Sequence, residues 1–122
     1  MNIYILVGIG GMIGAVLRYS VSILTALWWS GSFPVATLLA NYIGCFLLPF
    51  LSFKLNGVVS TDVQKAVTAG MIGSFTTFSA FSVETIVLFE SGNIFEGWLY
   101  LFLSIIGGLV FVRLGDRKER LI

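Results

Sequence analysis

The chain has 122 residues, of which 57% are hydrophobic and 11% are charged, with seven Lys or Arg against six Asp or Glu. This length fits one domain, and the charged fraction is less than half of the roughly 25% usual in soluble domains, which excludes an ordinary soluble protein. Most basic residues lie in one short tail, which excludes a nucleic-acid binder with a phosphate-reading surface. The composition predicts a protein embedded in lipid.

Four stretches of the chain carry no charged side chain: residues 1–17, 19–53, 66–83 and 97–112. Because about 20 residues cross roughly 30 Å of hydrocarbon, the second stretch is too long for one helix. A turn at Ser30 to Pro34 divides it, next to Trp28 and Trp29, which suit the headgroup region. We therefore predict an all-α membrane protein with four helices, over residues 3–27, 34–53, 66–89 and 97–114. A short basic tail covers residues 113–122.

The first stretch is not expected to be a secretory leader, because it lacks a basic start and a small-residue cleavage site. The one cysteine, Cys45, cannot form an intramolecular disulfide.

Small residues four positions apart indicate close helix contacts. The pairs are Gly10 and Gly14, Gly11 and Ala15, and Ala40 and Gly44. Glycine is common in membrane helices, so a single pair is equally compatible with no contact. A bundle of four short helices is too thin to enclose a polar pathway, which predicts at least a dimer.

Polar groups inside the spans are the candidate functional residues. Arg18 lies about 22 Å along the first helix from its start, beyond easy reach of the interface, and a charge there normally faces protein or a water-filled cavity. Asn41, with Thr37 one turn before it, needs acceptors for its amide and is compatible with either helix–helix contact or ligand binding. Glu84, late in the third span, is explained equally well by snorkelling, pairing or function.

The third span is predicted to break in the middle of the membrane. Gly70 and Gly73, followed by Ser74, Thr76 and Thr77, weaken a helix there. Non-helical backbone at that depth is tolerated only when it is buried in protein or lines a cavity, and freed carbonyls are natural ligands for a small cation. Beyond the break, Phe78 and Phe81 share a face, with Ser79 and Ser82 at the same interval beside them. Packing or lipid contact is the plain explanation for two such rings, but hydroxyls next to an unwound segment make a poor lipid-facing surface.

Three segments of the sequence resemble the CrcB or Fluc family of fluoride channels. They are Gly10 to Tyr19 in the first span, Pro34 to Phe46 in the second and Gly73 to Glu84 in the third. Their order and spacing and the chain length fit, so the resemblance covers essentially the whole chain. The fourth span matches only in being hydrophobic and glycine-bearing, with Tyr100 and Ser104 as pore-side polar groups.

This resemblance implies a passive fluoride-selective channel in a bacterial-type inner membrane, built as an antiparallel dimer with two fluoride pores and one central sodium ion. It assigns the fluoride pore to Phe78, Phe81, Asn41, Ser79, Thr37 and Tyr100. It places Arg18 in an aqueous vestibule and the structural sodium ion on the backbone carbonyls of Gly73 and Thr76. The implied function is fluoride export that protects the cell from fluoride toxicity.

Two other functions stay open from the residues themselves. A small proton-coupled drug exporter also has four helices and dimerises, but it needs a titratable carboxylate, for which Glu84 is the candidate. A noncatalytic membrane scaffold explains the small-residue pairs but not Arg18, Asn41 and a broken third helix together. An enzyme is not expected, because the sequence has no phosphate-binding loop, no histidine and no paired carboxylates.

The distribution of basic residues predicts one orientation in the membrane. With four spans, both termini share a side with the connection between spans two and three. That side receives all the Lys and Arg except Arg18: Lys54, Lys65, Arg113, Arg117, Lys118 and Arg120. The positive-inside rule then predicts cytoplasmic termini, which favours pairing with a related subunit of opposite charge bias over pairing with itself. The alternative is that the tail acts weakly and the chain inserts both ways.

Overall fold

A computed structural model describes the backbone of residues 2–121 and the side chains of residues 2–116. Within this part of the chain, four helical segments are long and apolar enough to cross a membrane, which confirms the predicted all-α class. They are Ile3–Ala26, Val35–Leu55, Thr61–Glu90 and Ile94–Asp116. Arg117, Lys118 and Arg120, on which the orientation prediction partly rests, lie outside the described side chains.

The first two helices are α1 (Ile3–Ala26) and α2 (Val35–Leu55). Asn2 caps α1, because its Oδ1 accepts from the N–H of Tyr4 at 2.7 Å and satisfies a backbone donor that the first turn leaves free. The predicted turn separates the two helices, and the indole Nε1 of Trp29 donates to the Phe33 carbonyl at 2.8 Å across it. The exposed Trp28 and Trp29 therefore lie at the end of the first span.

The third segment is assembled from four pieces. A short helix, α3 (Thr61–Lys65), continues into a π-helical segment (Ala66–Ile72) and one turn of helix, α4 (Gly73–Phe75). After an interruption, α5 (Ser79–Glu90) resumes. The interruption at residues 76–78 is consistent with the predicted break, although Gly70 and Gly73 themselves stay helical and Thr76 is the first extended residue (ψ 162°). The π-helical turns were not predicted, because the pattern of apolar residues does not distinguish them from α-helix.

The last helix, α6 (Ile94–Leu121), begins after a turn in which Gly92 has a φ of +85°, a conformation that favours glycine. This helix packs mainly along α2, while α1 packs mainly along the π-helical segment and α4. The bundle therefore consists of two closely packed helix pairs, which are joined by contacts of α1 with α2 and of α5 with α6. Large apolar side chains cover the outside, including Met12, Val16 and Tyr19 of α1, as expected for contact with lipid or another subunit.

Glycines of α1 allow its close approach to the third segment. A Cβ on Gly10 would overlap the carbonyl of Ala66, and a Cβ on Gly14 would overlap the carbonyl of Met71 and the hydroxyl of Ser74. That hydroxyl donates to the Gly11 carbonyl at 2.7 Å, so a hydrogen bond joins the helices where their backbones nearly touch. The predicted contact at the Gly10 and Gly14 pair is confirmed.

Replacing Gly14 by alanine is expected to lower the free energy of unfolding by about 1–3 kcal/mol, because the added methyl group meets backbone that cannot move cheaply. Gly8→Ala is the matched control on the same helix, since a Cβ at Gly8 meets nothing within 4 Å in the described structure. We expect the control to keep its stability or to gain up to about 1 kcal/mol, because alanine favours a helix interior over glycine. Thermal unfolding of the purified proteins in detergent measures both, and equal stability of the two variants would contradict the contact.

Candidate functional site

The interruption of the third segment is held by the side chain of Asn41 on α2. Asn41 Nδ2 donates to the Thr77 carbonyl at 3.0 Å, and Asn41 Oδ1 accepts from the Thr77 N–H at 2.9 Å. The two bonds satisfy both the N–H and the carbonyl of Thr77, which lies outside the helix. Thr77 is half-buried, and backbone polar groups inside a membrane need such partners because water is absent. One N–H of the Asn41 amide is used by Thr77, which leaves the other for a further acceptor.

The same interruption changes the hydrogen bonds of two carbonyls. In a continuous α-helix, the Gly73 carbonyl would accept from Thr77 and the Thr76 carbonyl from Ala80. Here the Thr77 N–H goes to Asn41, and the Ala80 N–H goes to the Thr77 hydroxyl at 3.1 Å. The donors that a helix would supply to Gly73 and Thr76 are therefore engaged elsewhere. Oxygen atoms of this kind are the ligands that hard cations prefer.

Aromatic rings form a continuous row beside the interruption. The ring centroids of Phe78 and Phe81 are 5.8 Å apart, and those of Phe81 and Tyr100 are 5.2 Å apart. Tyr100 then meets Phe33 edge to face at 5.5 Å. The row joins the interruption to α5, α6 and the turn between α1 and α2.

A cavity of about 380 Å³ lies between α2, the third segment and α6. Five of the predicted site residues line it: Asn41, Gly73, Thr76, Phe78 and Phe81, together with Cys45, Thr77 and Ser104. Its walls are mostly apolar, with a few amide, hydroxyl and carbonyl groups. Thr37, Tyr100, Ser79 and Arg18 are not among its described lining residues, although Tyr100 touches Phe81 and the Ser79 hydroxyl lies 3.2 Å from that of Thr77.

A chain of hydrogen bonds links the two opposite charges within the spans. Arg18 Nη2 donates to Thr37 Oγ1 at 3.2 Å, and Thr37 Oγ1 donates to Glu84 Oε1 at 2.7 Å. Two buried polar atoms, Arg18 Nε and the Tyr100 hydroxyl, have no hydrogen-bond partner among the described residues. Buried donors without partners are rare, and both of these side chains lie beside Thr37.

A smaller cavity of about 240 Å³ reaches Glu84 from the end of the bundle that carries the turn between α1 and α2. Ser32, Pro34, Ser91 and Asn93 contribute to its walls. The Ser32 hydroxyl also donates to Glu96 Oε2 at 2.6 Å, which fixes the turn to the start of α6. The hydrogen-bonded chain at Glu84 is thus close to the bundle surface on this side.

Two features of the site were not predicted from sequence. The pairing of Asn41 with Thr77 joins residues 36 positions apart, and the only sequence signal for it is that a broken helix needs partners for its backbone. The link from Arg18 to Glu84 had a clearer signal, because they are charges of opposite sign placed away from the ends of their spans. Their connection through Thr37 depends on how the helices are arranged.

These features define a multi-pass helical membrane protein whose third segment is interrupted beside polar and aromatic side chains. The chain belongs to the CrcB family, since the family model described as "CrcB-like protein, Camphor Resistance (CrcB)" matches residues 5–116. It is 46% identical over 116 residues to the fluoride-specific ion channel FluC 1 of Bacillus cereus, covering 93% of this chain and 80% of that protein.

Two further relatives carry similar names. The fluoride-specific ion channel FluC 2 of Listeria innocua is 44% identical over 119 residues, covering 93% of this chain and 88% of that protein. The fluoride-specific ion channel FluC of Clostridium perfringens is 38% identical over 120 residues, covering 97% of this chain and 94% of that protein. Each similarity extends over nearly all of both chains.

Proposed function

We propose that the protein is a passive, fluoride-selective anion channel that exports fluoride from the cytoplasm. The observation that carries the proposal is the row of Phe78, Phe81 and Tyr100 beside Asn41, in a membrane protein whose relatives are named fluoride-specific ion channels. A channel is not an enzyme, and the path requires no covalent chemistry.

The residues along the row suit a small anion that must shed its water. The edge of an aromatic ring carries the positive part of its quadrupole and can meet an anion without holding it as tightly as a lysine would. The free N–H of Asn41 and the Ser79 hydroxyl are neutral donors that can replace water, and the Thr37 hydroxyl would join them if it turned away from Glu84. Conduction needs several weak sites in series, and neutral donors meet that requirement.

The buried donors next to Thr37 suit the end of this path. Arg18 Nε and the Tyr100 hydroxyl lack partners in the described structure, and both can donate to an anion. Glu84, which accepts from Thr37, lines the smaller cavity at this end of the bundle. Arg18 would attract anions toward the entrance, as proposed for a vestibule, while Glu84 keeps its charge balanced.

The single chain leaves part of this path uncovered. Phe78 is 79% exposed although its ring belongs to the row, and a second subunit would enclose it. We propose an antiparallel dimer with two such paths and a sodium ion between the subunits. The diverted donors at Gly73 and Thr76 support the sodium site, because two carbonyls from each subunit supply four hard oxygen ligands without any carboxylate.

Export follows from electrostatics without a pump. Hydrogen fluoride is a weak acid that crosses lipid uncharged and releases fluoride inside the cell. An inside-negative potential then drives each anion outward with about 2.3 kcal/mol per 100 mV. The proposed location is therefore the cell membrane of a bacterial-type cell, where that potential exists.

The test is ion flux from liposomes that contain the purified protein. Rapid passive fluoride efflux with chloride excluded supports the channel. A cation flux that depends on a proton gradient and is abolished by Glu84→Gln would instead favour the small drug exporter. No flux under any gradient, with the chain reconstituted alone and together with a related subunit, would leave a noncatalytic scaffold.

Expressed alone with a reporter on its C-terminus, the chain is expected to show cytoplasmic termini in nearly every copy. The reason is that six of the seven Lys and Arg residues lie on one side of the four spans. We accordingly propose that the partner is a related subunit of opposite charge bias, each subunit being fixed in one orientation. Paired reporters active only in the cytoplasm or only outside it measure the two populations.

The control for this prediction moves basic residues from one side of the membrane to the other. Replacing Lys54 and Lys65 with glutamine and adding lysines to the turn between α1 and α2 should produce copies of both orientations. Equal populations for the unmodified chain would contradict a fixed orientation, as would strong fluoride flux from the chain purified without a partner.

A further inference from the structure

Two side-chain acceptors at the interruption occupy backbone donors that would otherwise return to the helix. Asn41 Oδ1 takes the N–H of Thr77 at 2.9 Å, and Thr77 Oγ1 takes the N–H of Ala80 at 3.1 Å. Those two N–H groups are the ones that a continuous helix would give to the carbonyls of Gly73 and Thr76. These two carbonyls are also the two proposed sodium ligands.

We propose that Asn41 and the Thr77 hydroxyl are positioning groups for the sodium site, keeping the carbonyls of Gly73 and Thr76 available to the cation by holding these donors away. The inference rests on the sodium site of the proposed function. It gives Asn41 a structural task in addition to that of a fluoride donor.

Burial makes the competition between the two arrangements strong. Asn41 and Thr77 are both half-buried within the membrane-spanning part of the bundle, where water is scarce. A Thr77 N–H that loses Asn41 must find another acceptor, because an unpaired buried donor is costly. The Gly73 carbonyl, four residues back, is the acceptor that helix geometry offers. Without Asn41, the sodium ion therefore competes with the Thr77 N–H for the Gly73 carbonyl.

The same contacts couple the two ions physically. Asn41 lines the cavity of about 380 Å³ together with Phe78 and Phe81, and it is bonded to both backbone groups of Thr77. Gly73 and Thr76 line the same cavity. Occupancy of the carbonyls by sodium would thus hold Asn41 in one orientation toward the fluoride path.

Sodium binding measured by stability tests the inference without using ion flux. The purified dimer is melted in detergent over a sodium titration, with N-methyl-D-glucamine keeping the ionic strength constant. A bound ion stabilises the folded protein by RT ln(1 + [Na⁺]/Kd), so the dependence of stability on sodium gives the half-saturating concentration. Asn41→Ala is expected to raise the half-saturating sodium concentration by about tenfold, the effect of one competing hydrogen bond. Thr77→Val, which removes the hydroxyl but keeps the shape, should act in the same direction.

Two further variants separate this role from general damage. Asn41→Asp retains an acceptor for the Thr77 N–H, so its sodium midpoint should not rise. Adding Thr77→Pro to Asn41→Ala removes the competing N–H altogether, and the extended Thr76 (ψ 162°) is compatible with a following proline. Because proline also lacks the hydroxyl that holds the Ala80 N–H, the double variant should return the sodium midpoint to that of Thr77→Val and no further.

Tyr42→Phe is the matched control, because it also removes an interhelical bond from α2 to a backbone carbonyl, that of Leu103 at 2.6 Å. It should lower the melting temperature at every sodium concentration and leave the midpoint unchanged. An Asn41→Ala midpoint equal to that of the unmodified protein would overturn the inference alone. Absence of any sodium effect in the unmodified protein would overturn the proposed sodium site and the inference with it, while fluoride flux would still be tested separately.

Discussion

Fluoride efflux from liposomes is expected to fall at least about tenfold when Phe81 is replaced by isoleucine. Isoleucine keeps the apolar character and much of the volume, but it has no ring edge to face an anion. Phe81 is the middle ring of the row and contacts both Phe78, at 5.8 Å, and Tyr100, at 5.2 Å. Its loss interrupts the row in either direction, and a fluoride electrode measures the result.

Phe102→Ile is the matched control for this effect. Phe102 is another exposed ring at membrane depth, stacked on Trp98 at 6.0 Å, and its replacement should leave flux unchanged. Phe78→Ile should resemble Phe81→Ile if a second subunit encloses its exposed ring. Normal flux in both the Phe78 and the Phe81 variants would remove the rings from the mechanism.

Asn41→Asp is expected to have the largest effect, a loss of flux of about a thousandfold. A carboxylate about 4 Å from a passing anion in surroundings of effective dielectric constant near 20 is unfavourable by about 4 kcal/mol. The substitution also removes the donor to the Thr77 carbonyl and places an acceptor against it. Because the Thr77 N–H keeps its acceptor, the broken helix should persist, and the protein should still purify as a folded assembly.

Asn56→Asp provides the same chemical change at an exposed position just beyond α2 and should conduct normally. Flux and sodium-dependent stability are measured on the same preparations of both variants. Unchanged conduction in the Asn41 variant would show that Asn41 only joins helices. Lost conduction together with lost sodium stabilisation would mean that the carboxylate disrupts the interruption itself.

Several elements of the fold could be predicted because their causes are local. Charge-free stretches correspond to the helices that could cross a membrane, and the turn after Trp28 and Trp29 separates the first two of them. The contact at Gly10 and Gly14 also followed from spacing, since close approach needs small residues on one helix face. The π-helical segment had no such cause within its own sequence and lies where the backbone packs against α1.

The candidate site was predictable only as a set of residue types. Asn41, Thr37 and Arg18 were conspicuous because lipid excludes polar groups that lack partners. The identity of those partners was not accessible, because Asn41 pairs with Thr77 across 36 positions and Thr37 with Glu84 across 47. Each such pairing depends on the rotation and depth of two different helices.

By itself, the sequence determined that this protein lies in a membrane, where its helices cross and which polar residues need an explanation, because the transfer of each side chain between water and lipid depends on that side chain alone. Only the tertiary structure decided that the Thr77 N–H bonds to Asn41 instead of Gly73, and that Arg18 reaches Glu84 through Thr37. A hydrogen bond needs both partners within about 3 Å of each other, and only the packed helices bring them that close.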